Sequence, residues 1–167
     1  MGVFDRTICD CCVCPMQCVM QQLVVNQPDV TISTPVSQVV ATINSVENFI
    51  ADTSVGFFAV CNVTSVSSDV LGGSTTLKPL KKDVKGECKC CEDPATNELV
   101  SLGMGALVEI EFVTQVPGDE FDIPLIGNIA NIGEGIVILE NVTDGNGFTL
   151  NTAISTCQIT RIDTAQA

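Results

Sequence analysis

Twenty acidic residues against seven basic ones, with no histidine, leave this 167-residue chain at a net charge of −13. A surface of that sign repels nucleic-acid phosphates instead of neutralising them, and the missing histidine removes the commonest general base, so nucleic-acid binding and acid–base catalysis are both disfavoured. The 46% hydrophobic content comes mainly from Val, Ile and Leu, with seven Phe and no Trp or Tyr, a mixture that favours strands.

The chain starts Met1-Gly-Val-Phe-Asp-Arg6-Thr-Ile-Cys9, without the basic-then-apolar pattern of a secretory signal, and myristoylation would require Ser or Thr where Arg6 stands. Residues 1–14 read as a cysteine-dense arm holding Cys9, Cys11, Cys12 and Cys14, with Cys18 just beyond. Pro15 suits the first position of a helix, and Met16, Val19, Met20 and Leu23 follow at i, i+3, i+4 and i+7, one apolar stripe for packing on a core. Strands are expected at 30–32, 39–46, 49–50, 57–60 and 63–66, separated by turn residues at Thr34-Pro35, Glu47-Asn48 and 52–56. Residues 67–87 begin with Ser, Asp and Gly and pass into Lys78, Lys81, Lys82 and Lys85. They read as a solvated surface linker whose lysines lie near acidic faces.

A second helix is punctuated by Asp93 as N-cap, Pro94 at the first helical position, Leu99 and Leu102 on one side, and Gly103 as stop. Strands follow at 107–114, 121–132, 136–139, 148–150 and 158–162, with longer turns at 115–119 and 141–147. No apolar run is long enough to span a membrane.

The two parts repeat one another. Cys9-Asp10-Cys11-Cys12-Val13-Cys14-Pro15 has the spacing of Cys88-Lys89-Cys90-Cys91-Glu92-Asp93-Pro94, and each copy proceeds through a helix and strands to a closing cysteine. The offset is 79 residues at the prolines (15 and 94), 86 at Ile43 and Ile129, and 96 at Cys61 and Cys157, as insertions at loops would produce. The expected organisation is an arm at 1–14, a first unit at 15–66, a linker with the second cysteine cluster at 67–93, and a second unit at 94–164. Pro15, Ile43 and Cys61 should superpose on Pro94, Ile129 and Cys157.

Ten cysteines (9, 11, 12, 14, 18, 61, 88, 90, 91 and 157) point to an oxidised scaffold or a metal site. Cys11, Cys14, Cys88 and Cys91 have the pairwise spacing of zinc half-sites and could complete a tetrahedron, but one zinc leaves six cysteines without a role, whereas disulfides can employ all ten. Cys61 and Cys157 are each read either as a small buried apolar residue or as an acceptor for an arm cysteine. A cysteine nucleophile would lack a histidine partner, and pairs such as Asp119-Glu120 sit in turn-like, solvated surroundings, so no catalytic residue and no cofactor are expected. The sequons at Asn62 and Asn141 carry no meaning without export.

One helix followed by five short strands, with Val40-Ala41-Thr42-Ile43-Asn44-Ser45-Val46-Glu47-Asn48-Phe49-Ile50 and a closing Cys61-Asn62-Val63-Thr64-Ser65-Val66, resembles an Sm-like (SH3-like) small barrel. Gly127-Asn128-Ile129-Ala130-Asn131-Ile132 resembles the same first motif again. The resemblance implies a mainly β chain of two tandem small barrels, each preceded by a short helix and a cysteine-rich segment. RNA-binding members carry an Asn after the aromatic of the first motif and an Arg-Gly or Lys-Gly pair in the second. This chain has Ile50-Ala51-Asp52 and Asn62-Val63-Thr64 there, so RNA binding is not carried over.

Cys9 to Pro15, Phe57-Phe58-Ala59-Val60-Cys61-Asn62 and Cys88 to Pro94 further resemble cysteine-clustered coat and exosporium proteins of endospore-forming Firmicutes. That resemblance implies synthesis in the mother cell without a signal peptide, deposition on the spore surface and oxidation there. The expected activity is structural: a homopolymer growing head to tail as a fibre or layer through disulfides of the cysteine-rich arms, with other spore-surface proteins as further partners and neither nucleic acid nor membrane among them. A zinc-binding or nucleic-acid-binding Sm-like module is the alternative.

Overall fold

The computed structural model of the chain describes residues 10–25, 29–80, 92–113, 124–143 and 150–165, with the side chains of 10–14 and 92–94 outside that description. It is mainly β, as the composition requires. In the first half, helix α1 (Asp10–Leu23) precedes β1 (Asp29–Ser33), β2 (Gln38–Glu47), β3 (Ile50–Thr53), β4 (Gly56–Ala59) and β5 (Ser65–Ser67). In the second, α2 (Glu92–Leu102) precedes β6 (Leu107–Phe112), β7 (Leu125–Gly133), β8 (Ile136–Thr143), β9 (Thr152–Ser155) and β10 (Ile159–Thr164). A 3-10 turn stands before the last strand of each half, Val60–Asn62 and Thr156–Gln158.

All ten strands are hydrogen-bonded into one sheet, in the order β10-β6-β7-β8-β9-β5-β1-β2-β3-β4, and every pairing is antiparallel. Each half therefore has the internal order last-first-second-third-fourth. The junction is the β5–β9 ladder, where Val66 lies opposite Ala153. The second strand of each half slips register at a matching place, between Ile43 and Ser45 in β2 and between Ile129 and Asn131 in β7, and β7 slips a second time between Ile126 and Asn128. A bulge bends a strand and tightens its twist, which lets one long strand serve two directions of the sheet.

The apolar stripe of α1 behaves as its spacing demands: Met16, Val19, Met20 and Leu23 are all buried. They pack with Val30, Ile32, Ile43, Val66 and other residues of the first half, and with Ile136, Ile138 and Ala153 from the second. A second core gathers Leu99, Val108, Ile110, Ile129, Val137, Leu139, Val142 and Ile154. Residues 136–139 of β8 thus alternate between two cores and are buried on both faces, which is why this stretch reads as an unbroken apolar run.

Several boundaries depart from expectation. α1 starts at Asp10 and holds Pro15 inside it, so the cysteine-dense arm is helical backbone from residue 10. A proline in the early turns forfeits only its own bond to the carbonyl four residues back, so Pro15 is compatible with a helix already under way. α2 likewise begins at Glu92, one residue before the expected cap, and ends as expected at Gly103, whose φ of 91° suits glycine and whose N–H donates to the Leu99 carbonyl at 3.2 Å. The fourth strand of the second half lies at Thr152–Ser155, past the apolar residues at 148–150, because its register is set by β8 on one side and β5 on the other. The turn expected at 115–119 lies outside the described residues.

The expected surface linker is exposed at most of its described residues, but its stretch from 68 to 75 is anchored to the sheet. Ser68, Leu71 and Thr75 are buried. The Asn151 side chain donates to the Leu71 carbonyl at 2.6 Å, Asn131 to the Thr75 carbonyl at 2.8 Å, and Gly73 N–H to Glu140 at 2.7 Å. Gln22 of α1 donates to the Thr76 carbonyl at 2.8 Å and accepts from its N–H at 2.9 Å. Glycines allow the close approach of segment and sheet: a Cβ on Gly72 would stand 2.5 Å from a Glu140 carboxylate oxygen. A Cβ on Gly133 would stand 2.5 Å from the Leu77 Cβ and 2.7 Å from the Lys78 carbonyl oxygen.

Candidate functional site

Among the described residues the sheet ends in two strands that are paired on one side only, β4 and β10, and these ends differ in chemistry. β4 carries Phe57 at 78% exposure, with Ile50 of the adjoining β3 at 43% and Val55 of the connecting turn at 56%. Asp52 lies opposite Phe57 on β3. The turn between β2 and β3 places Asn48 and Phe49 at φ of 51° and 63°, a conformation costly for a bulky residue. Gln17 of α1 holds it by accepting from the Phe49 N–H at 2.8 Å, and Gln21 donates to the Val46 carbonyl at 3.2 Å. The apolar end is thus tied to α1 by two glutamines.

The opposite end, β10, is polar. Arg161 donates to Glu111 at 2.6 Å, to Asp163 at 3.0 Å and to Glu109 at 3.2 Å. The hydrogen bond to Glu111, followed by that to Asp163, pushes the guanidinium further up from its ordinary value, so it remains charged throughout. Charges on an edge strand discourage indiscriminate pairing. Arg161 and Arg6 are the two cations outside the lysine-rich segment, a compositional signal by which Arg161 could have been singled out.

The two cysteines that close the halves occupy matching 3-10 turns just before the last strands, not the strands themselves. Cys61 is exposed and free, and Cys157 is half-buried and disulfide-bonded. Neither is a small apolar core residue. Cys18 is half-buried and also free, so the partner of Cys157 is neither of these. Cys9, Cys88, Cys90 and Cys91 lie outside the described residues, as do the side chains of Cys11, Cys12 and Cys14 and hence the zinc alternative at Cys11, Cys14, Cys88 and Cys91. Among the described residues no three His, Cys, Asp or Glu side chains converge as a metal site, and no helix is long and apolar enough to cross a membrane. Of the lysine run only Lys78 is described. Its side chain is exposed and its carbonyl accepts from the Glu134 N–H at 2.9 Å.

No protein-family model matches the chain, and neither the curated proteins nor the solved structures contain a match to it.

Proposed function

We propose that this chain is a non-enzymatic structural protein of the bacterial spore surface that assembles with copies of itself and is cross-linked by disulfides through its cysteine-rich segments. The observation that carries the reading is the pair of matching turns: Cys157 is bonded, while Cys61 in the equivalent turn is an exposed free thiol beside the apolar end of the sheet. An exposed thiol at an open end is placed to take a partner from another chain. The two halves are proposed to be Sm-like barrels, supported by the helix, the shared strand order, the matching bulges and the 3-10 turn before each last strand. The spore-surface assignment rests on the resemblance of the two cysteine clusters, and coat or exosporium proteins are the further partners it suggests.

The test is gel mobility of the oxidised assembly after boiling in detergent, with and without a thiol. A ladder that collapses to monomer only with the thiol is expected, because a covalent cross-link survives denaturation and yields to reduction. Monomer in both lanes would refute intermolecular cross-linking. Stoichiometric zinc in a non-polymerising reduced protein would instead favour a metal-binding module.

A further inference from the structure

The two open ends of the sheet are the counterparts of the two strands that already meet inside it. β5 pairs with β1 with Ser65, Val66 and Ser67 opposite Ser33, Ile32 and Thr31, and β10 pairs with β6 with Arg161, Ile162 and Asp163 opposite Glu111, Ile110 and Glu109. Both sets fall one residue after the other in the same sense, so β10 stands to its half as β5 does to the first. By the same comparison β4, paired with β3 and followed by a 3-10 turn, corresponds to β9, paired with β8 and followed by a 3-10 turn. Inside the chain β5 and β9 are joined, while the outer sides of β10 and β4 have no partner strand among the described residues.

We infer that copies of this chain associate head to tail by repeating their internal seam, with β10 of one copy pairing antiparallel to β4 of the next so that Ile162 lies opposite Phe57 of the neighbouring copy. This rests on the self-assembly proposed above and specifies its non-covalent interface. The register is copied from the internal ladder, in which Ser65, Val66 and Ser67 face Ile154, Ala153 and Thr152. Substituting counterparts places Arg161, Ile162 and Asp163 opposite Phe58, Phe57 and Gly56 of the neighbour.

Three features fit this occupant. The backbone groups have the right alternation, and one of them exchanges its partner on assembly: the Thr164 N–H donates to the Asp163 carboxylate at 2.8 Å in the single chain. Ser155 N–H donates to the Thr64 carbonyl and Ser68 N–H to the Asn151 carbonyl at the internal seam, and the corresponding bonds run from Ala59 of the neighbour to Thr160 and from Thr164 to Val55 of the neighbour. At the β10 end the Ala165 N–H is already used on Leu107, which leaves the alternate residues Thr164 and Ile162 directed outward. The side chains match as well. On β8 and β9, Ile136, Ile138 and Ala153 are buried in the first half's core, with α1 packed over these strands. Their counterparts on β3 and β4 are Ile50 and Phe57, which are exposed, and Asp52, which is half-buried. In the assembled seam α2 of the copy that donates β10 takes the position of α1. Finally, the contact is heterologous, one end unlike the other, so it propagates along a row of copies and does not stop at a two-fold dimer.

Full-length chains are compared in excess thiol, which removes cross-links and leaves only this contact. Phe57→Pro blocks the outward side of β4, and Thr164→Pro blocks the outward side of β10, each without removing a ladder bond inside the chain. Each variant alone is expected to be monomeric by light scattering where the natural chain polymerises, and the two mixed are expected to give a dimer and nothing larger, since one free end remains on each. A third variant, Asp52→Val, is expected to assemble at about tenfold or more lower concentration, because the carboxylate no longer has to be buried where Ile138 sits in the internal seam. Circular dichroism and cooperative urea unfolding verify that each variant is folded, and the gain expected of Asp52→Val does not depend on either proline. Polymers from both proline variants overturn the edge pairing while leaving self-assembly standing. Homodimers from a single variant, or no dimer on mixing folded variants, likewise overturn it. A natural chain that stays monomeric in thiol and under oxidation overturns both the pairing and the function proposed above.

Discussion

Ile136 and Ala153 stand on β8 and β9 where Ile50 and Phe57 stand on β3 and β4, yet the first pair is fully buried and the second is open to solvent. The local structure of the two hairpins is alike. Their surroundings are not: β9 has β5 beside it and α1 packed over it, whereas β4 has nothing beyond it among the described residues. The residues follow this difference. At the closed seam the counterpart of Phe57 is the small Ala153 and that of Asp52 is Ile138, so the interior takes the compact and uncharged member of each pair. Burial in this sheet is therefore decided by what lies across the next ladder, not by the hairpin itself.

Substitutions at matched positions sharpen that comparison. The largest effect is expected for Ile136→Ala, which opens a cavity in the first core and should cost about 2–5 kcal/mol in urea unfolding of the reduced chain kept monomeric by Thr164→Pro. An intermediate cost, about 1–3 kcal/mol, is expected for Gly133→Ala. The added methyl presses on Leu77 and the Lys78 carbonyl, and the packed segment must shift. At the position matched to Ile136, Ile50→Ala should cost the monomer about 1 kcal/mol or less, because Ile50 is already 43% exposed. Equal costs at Ile50 and Ile136 would break the comparison. The smallest effect belongs to Arg161→Gln, which should lower the melting temperature slightly at low salt and not measurably at high salt, as exposed ion pairs are screened.

The parts of this fold legible in the sequence are those set by short-range periodicity. The stripe Met16, Val19, Met20 and Leu23 marked α1, Gly103 marked the end of α2, and the apolar run at 136–139 marked β8. What escaped was set by neighbours distant in the chain. Thr152-Ala153-Ile154-Ser155 has too little apolar content to announce a strand, and is one because β5 and β8 supply ladders on both sides. The Ser- and Gly-containing segment at 68–75 looked like a linker, because composition does not reveal that Asn131, Glu140 and Asn151 satisfy its backbone. The cysteine spacing exposed the repeat and the matching turns at Cys61 and Cys157. It carried no sign that one thiol would be bonded and the other free, since that depends on which cysteine lies within reach, a matter of tertiary structure.

The central claim is that Cys61 takes its partner from another chain, and isotope-mixed disulfide mapping tests it most directly. Light and heavy chains are mixed in thiol, allowed to assemble, oxidised and digested without reduction, and peptides containing Cys61 are read by mass. Light–heavy pairs at Cys61 are expected at the frequency of random mixing, alongside same-isotope pairs at Cys157. Cys61 recovered only as a free thiol, or bonded solely within light or within heavy chains, would contradict the account.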